Sequence, residues 1–221
     1  MATWLVTGTS RGLGLELVRQ LHARGDDVIA TCRARTAELD EIGCRVVDGI
    51  DVRSDEVGPA LRRALGDGQA LDVVVNNAGV GRWDTLETVD LDAARDELEV
   101  NALGPLRVTL ALLPRLAAGA KIALVSSKAG SIGDRPSGGN YGYRMSKAAL
   151  NMLGANLAAD LAARGIHVAV LHPGFVRTEM TRGGGNLDPP ESAAGLIRQI
   201  DALDASRSGR FFHSDGSEIA W

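Results

Sequence analysis

The stretch NYGYRMSKAAL, residues 140–150, sets Tyr143 and Lys147 four residues apart. On a helix that is one turn, so the two side chains share a face. A free phenol has a pKa near ~10, too high for efficient proton exchange at neutral pH, and an ammonium one turn away favours the phenolate and lowers it. Tyr141 stands six residues from Lys147 and falls off that face. The same spacing also describes a helix entrance carrying ordinary surface polars. The rest of the chain must show whether a site is built around it.

The elements that would position this pair alternate along the sequence. Short apolar runs read as strands: TWLVTG, DDVIATC, CRVVDGI, LDVVVNN, KIALVSS, HVAVLHP and GRFFHS. Most are continuous rather than alternating, which suits strands covered on both faces. Helical patterns lie between them at 12–24, 55–65, 91–116, 143–164 and 190–203, and Gly104-Pro105 marks a kink or a break in the third. Strand and helix in repeated alternation imply right-handed crossovers. The expected fold class is therefore α/β, a single domain over 1–221 with a doubly wound parallel sheet of about seven strands flanked by helices.

Bulk properties exclude several function classes. A chain of 221 residues with 45% apolar content is long enough for one sizeable core. A net charge of −4 argues against nucleic-acid or membrane-surface partners. Cys32 and Cys44 form no disulfide framework or metal cluster, and Cys32 reads as a small buried hydrophobe. A cytoplasmic setting is the simplest expectation. The opening MATWLVTGTS shows no secretory leader pattern, and no apolar run is long enough to span a bilayer. His22, His167 and His213 are scattered without metal-ligand spacing, so no metal is expected.

TGTSRGLG, residues 7–14, follows the first strand and opens a helix. Gly8, Gly12 and Gly14 are spaced G-x-x-x-G-x-G, which is neither the G-x-G-x-x-G fingerprint nor a Walker loop. The physics is shared: glycines admit a pyrophosphate close to the backbone, and the helix N-terminus offers N–H donors. Ser10, Arg11 and Leu13 complete this candidate nucleotide loop. An NAD site places a carboxylate near the end of the second strand. Here that position falls at or near Cys32, with Arg33 and Arg35 beside it and Arg11 in the loop. A missing acid and nearby guanidiniums suit a 2′-phosphate, so NADP(H) is expected over NAD(H). VVVNNAG, residues 73–79, ends the fourth strand, where Asn77, Ala78 and Gly79 brace the strand or face the cofactor. Ser126 and Ser127 end the fifth, and strand alternation turns the two to opposite faces.

TGxxxGxG, NNAG, Asn101 in VNALG, the serine, YxxxK and HPGFVRT together resemble the short-chain dehydrogenase/reductase family, in order and over nearly the whole chain. YRMSKAALNM and the ending GRFFHSDGSEIAW are similar to its C-factor and sniffer-type carbonyl reductase branch. The resemblance implies a Rossmann fold and an NADPH-dependent carbonyl reductase that passes the pro-S hydride to a small-molecule carbonyl, or runs the reverse on an alcohol. It implies Tyr143 as acid, Lys147 on the nicotinamide ribose, Ser127 on the substrate oxygen and Asn101 placing a water beside the lysine. It further implies Asp51 and Val52 at the adenine, Pro173, Gly174 and Val176 along the nicotinamide, and Thr178 on its carboxamide. Residues 181–188 occupy the place of the substrate lid, and Trp83 and Phe175 line the pocket or simply pack. His172 is a strand-end residue. Family members pair through the long helices, so a homodimer or homotetramer is expected. The alternative is an NADP-binding signalling protein of the C-factor type with little turnover.

Overall fold

The computed structural model describes residues 1–66, 68–134 and 137–221. Seven strands form one all-parallel sheet in the order β3-β2-β1-β4-β5-β6-β7. They are β1 (Thr3–Thr7), β2 (Asp27–Thr31), β3 (Arg45–Val47), β4 (Leu71–Asn76), β5 (Leu116–Val125), β6 (His167–His172) and β7 (Arg210–His213). The order reverses between β1 and β4. Ligands of open α/β sheets bind in the crevice at such a switch point, beyond the carboxyl ends of the strands.

The helices are α1 (Gly12–Ala23), α2 (Ala37–Asp40), α3 (Val57–Leu65), α4 (Leu91–Leu98), α5 (Gly104–Leu112), α6 (Tyr141–Leu161) and α7 (Pro189–Asp201). Apolar strand residues pack two cores. One, with Leu5, Ile29, Val74, Ile122 and Val170, includes Leu61 of α3 and Leu150 of α6. The other, with Trp4, Val6, Val28, Val73 and Leu171, includes Leu17 of α1 and Leu196 of α7. Alternate strand residues serve opposite faces, as a two-sided sheet requires.

Several boundaries differ from expectation. The pattern over 91–116 is one continuous helical run with a π turn, Glu99–Leu103, between α4 and α5. Gly104-Pro105 does not break it. Pro105 lies in the first turn of α5, where its missing N–H is harmless, and Gly104 packs against Val52, whose Cγ2 would lie 2.9 Å from an added Cβ. Strand β5 starts at Leu116, five residues before the apolar run KIALV, after a 3-10 turn at Leu113–Arg115. The edge strand β3 is shorter than CRVVDGI, because Gly49 turns the chain at φ 72°. The short helix α2, with the Thr36 hydroxyl accepting from the Leu39 N–H, is too brief to show a period. Helix α6 starts at Tyr141, behind Asn140 in the left-handed region at φ 51°, a conformation that asparagine tolerates.

Candidate active site

A cavity of about 810 Å³ runs along the switch-point crevice. Its floor at one end is the glycine loop after β1. Gly8 has φ 72° and lies so near Ala78 that a Cβ would come within 2.7 Å of the Ala78 Cα. The Asn77 amide fixes the approach by donating to the carbonyls of Thr7 and Gly8 at 3.0 and 3.2 Å. Asn77 is thus a brace, and Ala78 and Gly79 line the cavity beside it. Helix α1 begins at this wall, and no side chain caps its first turn. Gly12, Leu13 and Gly14 border the cavity there, leaving N–H donors and the positive end of the helix for an anion. The loop fits a dinucleotide pyrophosphate on these observations.

The far end of that groove lacks a carboxylate at the end of β2. Cys32 and Arg33 line it, and Arg33 has no ion-pair partner among the described residues. Arg35 is turned to Asp40 at 2.8 Å and does not line the cavity, which removes it from the expected set. Arg11 meets Glu179 across the crevice at 2.8 Å. Asp51 and Val52 line the groove, and the Arg53 guanidinium beside Asp51 holds its carboxyl below the usual range. Ser10, Pro173, Gly174, Val176 and Thr178 border the same cavity, with the Thr178 methyl 3.7 Å from where a Cβ on Gly12 would stand.

At the other end Ser127, Tyr143 and Lys147 share one wall. Ser127 follows β5, and its hydroxyl accepts from the Ala129 N–H at 3.1 Å. Ser126 turns away, donating to Asn151 at 2.6 Å in the interior, so alternation separates the two serines as expected. The start of α6 is set by Asp84, which accepts from the Tyr141 N–H at 2.8 Å and exchanges further bonds with Asn140. Lys147 is buried and donates to the Val125 carbonyl at 2.8 Å; burial lowers its pKa to about 8. Its Nζ stands 5.8 Å from the Tyr143 ring centroid.

One expectation needs correction here. Burial raises the Tyr143 phenol above its ordinary value, a Ser127 hydrogen bond works against that rise, and Glu97 adds to it. In the chain alone the phenol is therefore raised rather than lowered, with burial the largest cause, and Lys147 is not among the groups that shift it. Asn101, in the π turn, is fully buried. Its Oδ1 accepts from the Val80 N–H, and its amide donates to Val80 O and Ser146 Oγ at 2.8 and 2.9 Å. Both side-chain N–H donors are engaged by protein, so this side chain braces the loop after β4.

The substrate end is walled by Gly81, against which the Tyr143 ring is pressed, by Trp83, Phe175 and Met180, and by Arg144 next to the tyrosine. Residues 181–188 form a turn closed on its own base, with a bridge from Val176 to Leu187 and Arg177 paired to Asp188. His172 ends β6 and packs edge-on against His213, ring centroids 5.0 Å apart. Sequence reasoning missed Asp84, Glu97 and Arg144. The four-residue spacing of Glu97 and Asn101 was the one signal available for the second of these. Among the described residues no group of three or more His, Cys, Asp or Glu side chains converges as for a metal ion, and no helix is long and apolar enough to cross a membrane.

The short chain dehydrogenase family model matches residues 2–186. This chain belongs to that family. This short-chain dehydrogenase is 45% identical over 226 residues to the 1-hydroxy-2-glutathionyl-2-methyl-3-butene dehydrogenase of Rhodococcus sp. (strain AD45), with 100% of both chains covered. It is 46% identical over 154 residues to the C-signal of Myxococcus xanthus, covering 68% of this chain and 93% of that relative. Its fold matches the carbonyl reductase Sniffer of D. melanogaster with a TM-score of 0.91 at 32% identity, covering 100% of both chains. The NADPH-bound carbonyl reductase from chicken fatty liver gives 0.88 at 30% identity, covering 100% of this chain and 99% of that one. The resemblance read from the motifs, to the C-factor and sniffer-type branch, therefore holds.

Proposed function

We propose that the chain is an NADP(H)-dependent carbonyl reductase, interconverting a ketone or aldehyde and an alcohol, with Tyr143 as proton donor and acceptor. The observation that carries this reading is the shared wall of Ser127, Tyr143 and Lys147 at one end of a crevice whose other end is a glycine loop and an uncapped helix. The glycine loop would hold the pyrophosphate, Arg33 with Arg11 the 2′-phosphate, Asp51 and Val52 the adenine, and Pro173, Gly174, Val176 and Thr178 the nicotinamide end. Nicotinamide bound there supplies or accepts hydride.

The protein's own part is proton handling and positioning. The Ser127 hydroxyl holds the carbonyl oxygen beside the phenol. Tyr143 delivers its proton to that oxygen as the carbonyl carbon is reduced, which leaves an alcohol and a tyrosinate. Lys147, near half-protonated at pH 8, stabilises the anion and returns a proton to it. Asn101 and Asp84 keep the two walls in register without touching the substrate.

The test is NADPH oxidation over a panel of ketones, aldehydes and quinones, with NADP reduction by a thioether alcohol of the glutathionyl type as the reverse assay. Tyr143→Phe should bind NADPH and lose turnover; retained turnover removes the assignment. The likeness to C-signal favours a second reading, in which dinucleotide occupancy drives signalling. Dinucleotide binding without turnover on any compound would favour that reading. The same proposal assigns a homodimer, formed by a second copy covering the exposed Leu103 and Leu110 of the run from 99 to 112 and Met145 and Met152 of α6. Each pair is spaced by seven residues, two turns on one helix face.

A further inference from the structure

Glu97 is a carboxylic acid where none is needed for the chemistry described. It lies on α4, 1% exposed, directly under the start of α6. One oxygen accepts from the Arg82 N–H at 2.7 Å. The other, Oε2, has no hydrogen-bond partner among the described residues. It faces Gly142, the residue before the tyrosine, where any Cβ would overlap it. Burying an unsatisfied carboxyl oxygen costs about 1–3 kcal/mol, so this placement needs a reason.

Glu97 and Asn101 are four residues apart and grip alternate residues of the loop after β4. Asn101 holds both main-chain groups of Val80, and Glu97 holds the N–H of Arg82. Gly81, between them, is the residue pressed on the Tyr143 ring, with a Cβ there only 3.0 Å from Cδ2. Burial raises the Glu97 carboxyl above its ordinary value, Arg82 works against that rise, Asp84 from the loop and Asp96 from its own helix add to it, and Glu97 in turn adds to the rise at the Tyr143 phenol. Only Arg82 among these is cationic, and its guanidinium is half exposed, 3.5 Å from Asp96.

We propose that Glu97 is a positioning residue for the acid: its carboxyl fixes the backbone that clamps the Tyr143 ring, and its negative charge opposes formation of the tyrosinate. This deepens the proposed function without depending on the substrate. The charge adds to the burial that already holds the phenol above its ordinary value.

The chain has only two tyrosines, which allows a direct test. In a Tyr141→Phe background, ultraviolet absorbance against pH titrates Tyr143 alone. Glu97→Gln keeps the shape and an acceptor for Arg82 and removes the charge. The expected result is a tyrosinate midpoint lower by about half a unit or more. Glu97→Met, which also loses the acceptor, should lower the midpoint too and raise KM severalfold, while Glu97→Gln leaves KM near wild type. A midpoint unmoved in both variants would overturn the proposal, as would equal KM values for the two. The absorbance titration reads the phenol whether or not any substrate turns over, so its failure is separable from failure of the carbonyl reductase assignment.

Discussion

Asp84 accepts a hydrogen bond at 2.8 Å from the main-chain N–H of Tyr141, the first residue of α6. The loop after β4 thereby sets where the helix carrying Tyr143 and Lys147 begins. Asn140, which precedes that helix, caps nothing with its own side chain, so the cap comes from a residue 57 positions earlier.

Replacing this carboxylate should be felt as misplacement of the helix. Asp84→Ala is expected to cost about 0.5–2 kcal/mol, the range for loss of a helix N-terminal cap. Urea unfolding measures that loss. Turnover should fall by more than NADPH affinity, since the glycine loop is untouched.

Of the arginines near the proposed 2′-phosphate position, Arg33 alone has no ion-pair partner among the described residues, since Arg35 is held by Asp40 and Arg11 by Glu179. Arg33→Asp should weaken NADPH binding by ~10- to 100-fold, the size of one charge-assisted contact, and leave NADH binding equal or better. Fluorescence titration of both cofactors checks it. Unchanged preference would refute the assignment of the β2 end.

The acid limit of stability should carry the signature of His172. Burial, then the charges of His213 and Lys128, lower its pKa from 6.5 to about 3. The folded chain therefore binds fewer protons than the unfolded one between those values. Stability should fall as pH drops from about 6.5 towards 3, by on the order of 1–2 kcal/mol at pH 5. His172→Phe should flatten that slope in urea melts at pH 7, 6 and 5, and leave stability above pH 7 free of this pH dependence. An equally steep slope in the variant would contradict the shift.

Met152→Glu on the exposed face of α6 should yield a monomer by sedimentation velocity where the parent chain is a dimer. A tetramer in the parent chain would call for a further face. A monomeric parent would sink the dimer assignment.

Much of this was legible in the residues. The continuous apolar strands, the glycine loop and the Tyr143–Lys147 spacing each depend on local patterns, and each appears where the pattern predicts it. Three things were not legible, for separate reasons. The π turn at Glu99–Leu103 has no periodicity of its own, and its role comes from Asn101 reaching Val80 across the fold. The direction of the Tyr143 shift depends on how deeply the packed chain buries a phenol, a tertiary property. Glu97 looks like a surface acid on an amphipathic helix until α6 is laid over it.

The contact of Gly81 with the Tyr143 ring has a practical corollary. One side of the reaction chamber is bare main chain, where added bulk would collide with the acid itself. Engineers seeking new specificity should leave Gly81 alone and vary Trp83 and Phe175, whose side chains are exposed enough to be exchanged without disturbing the proton donor.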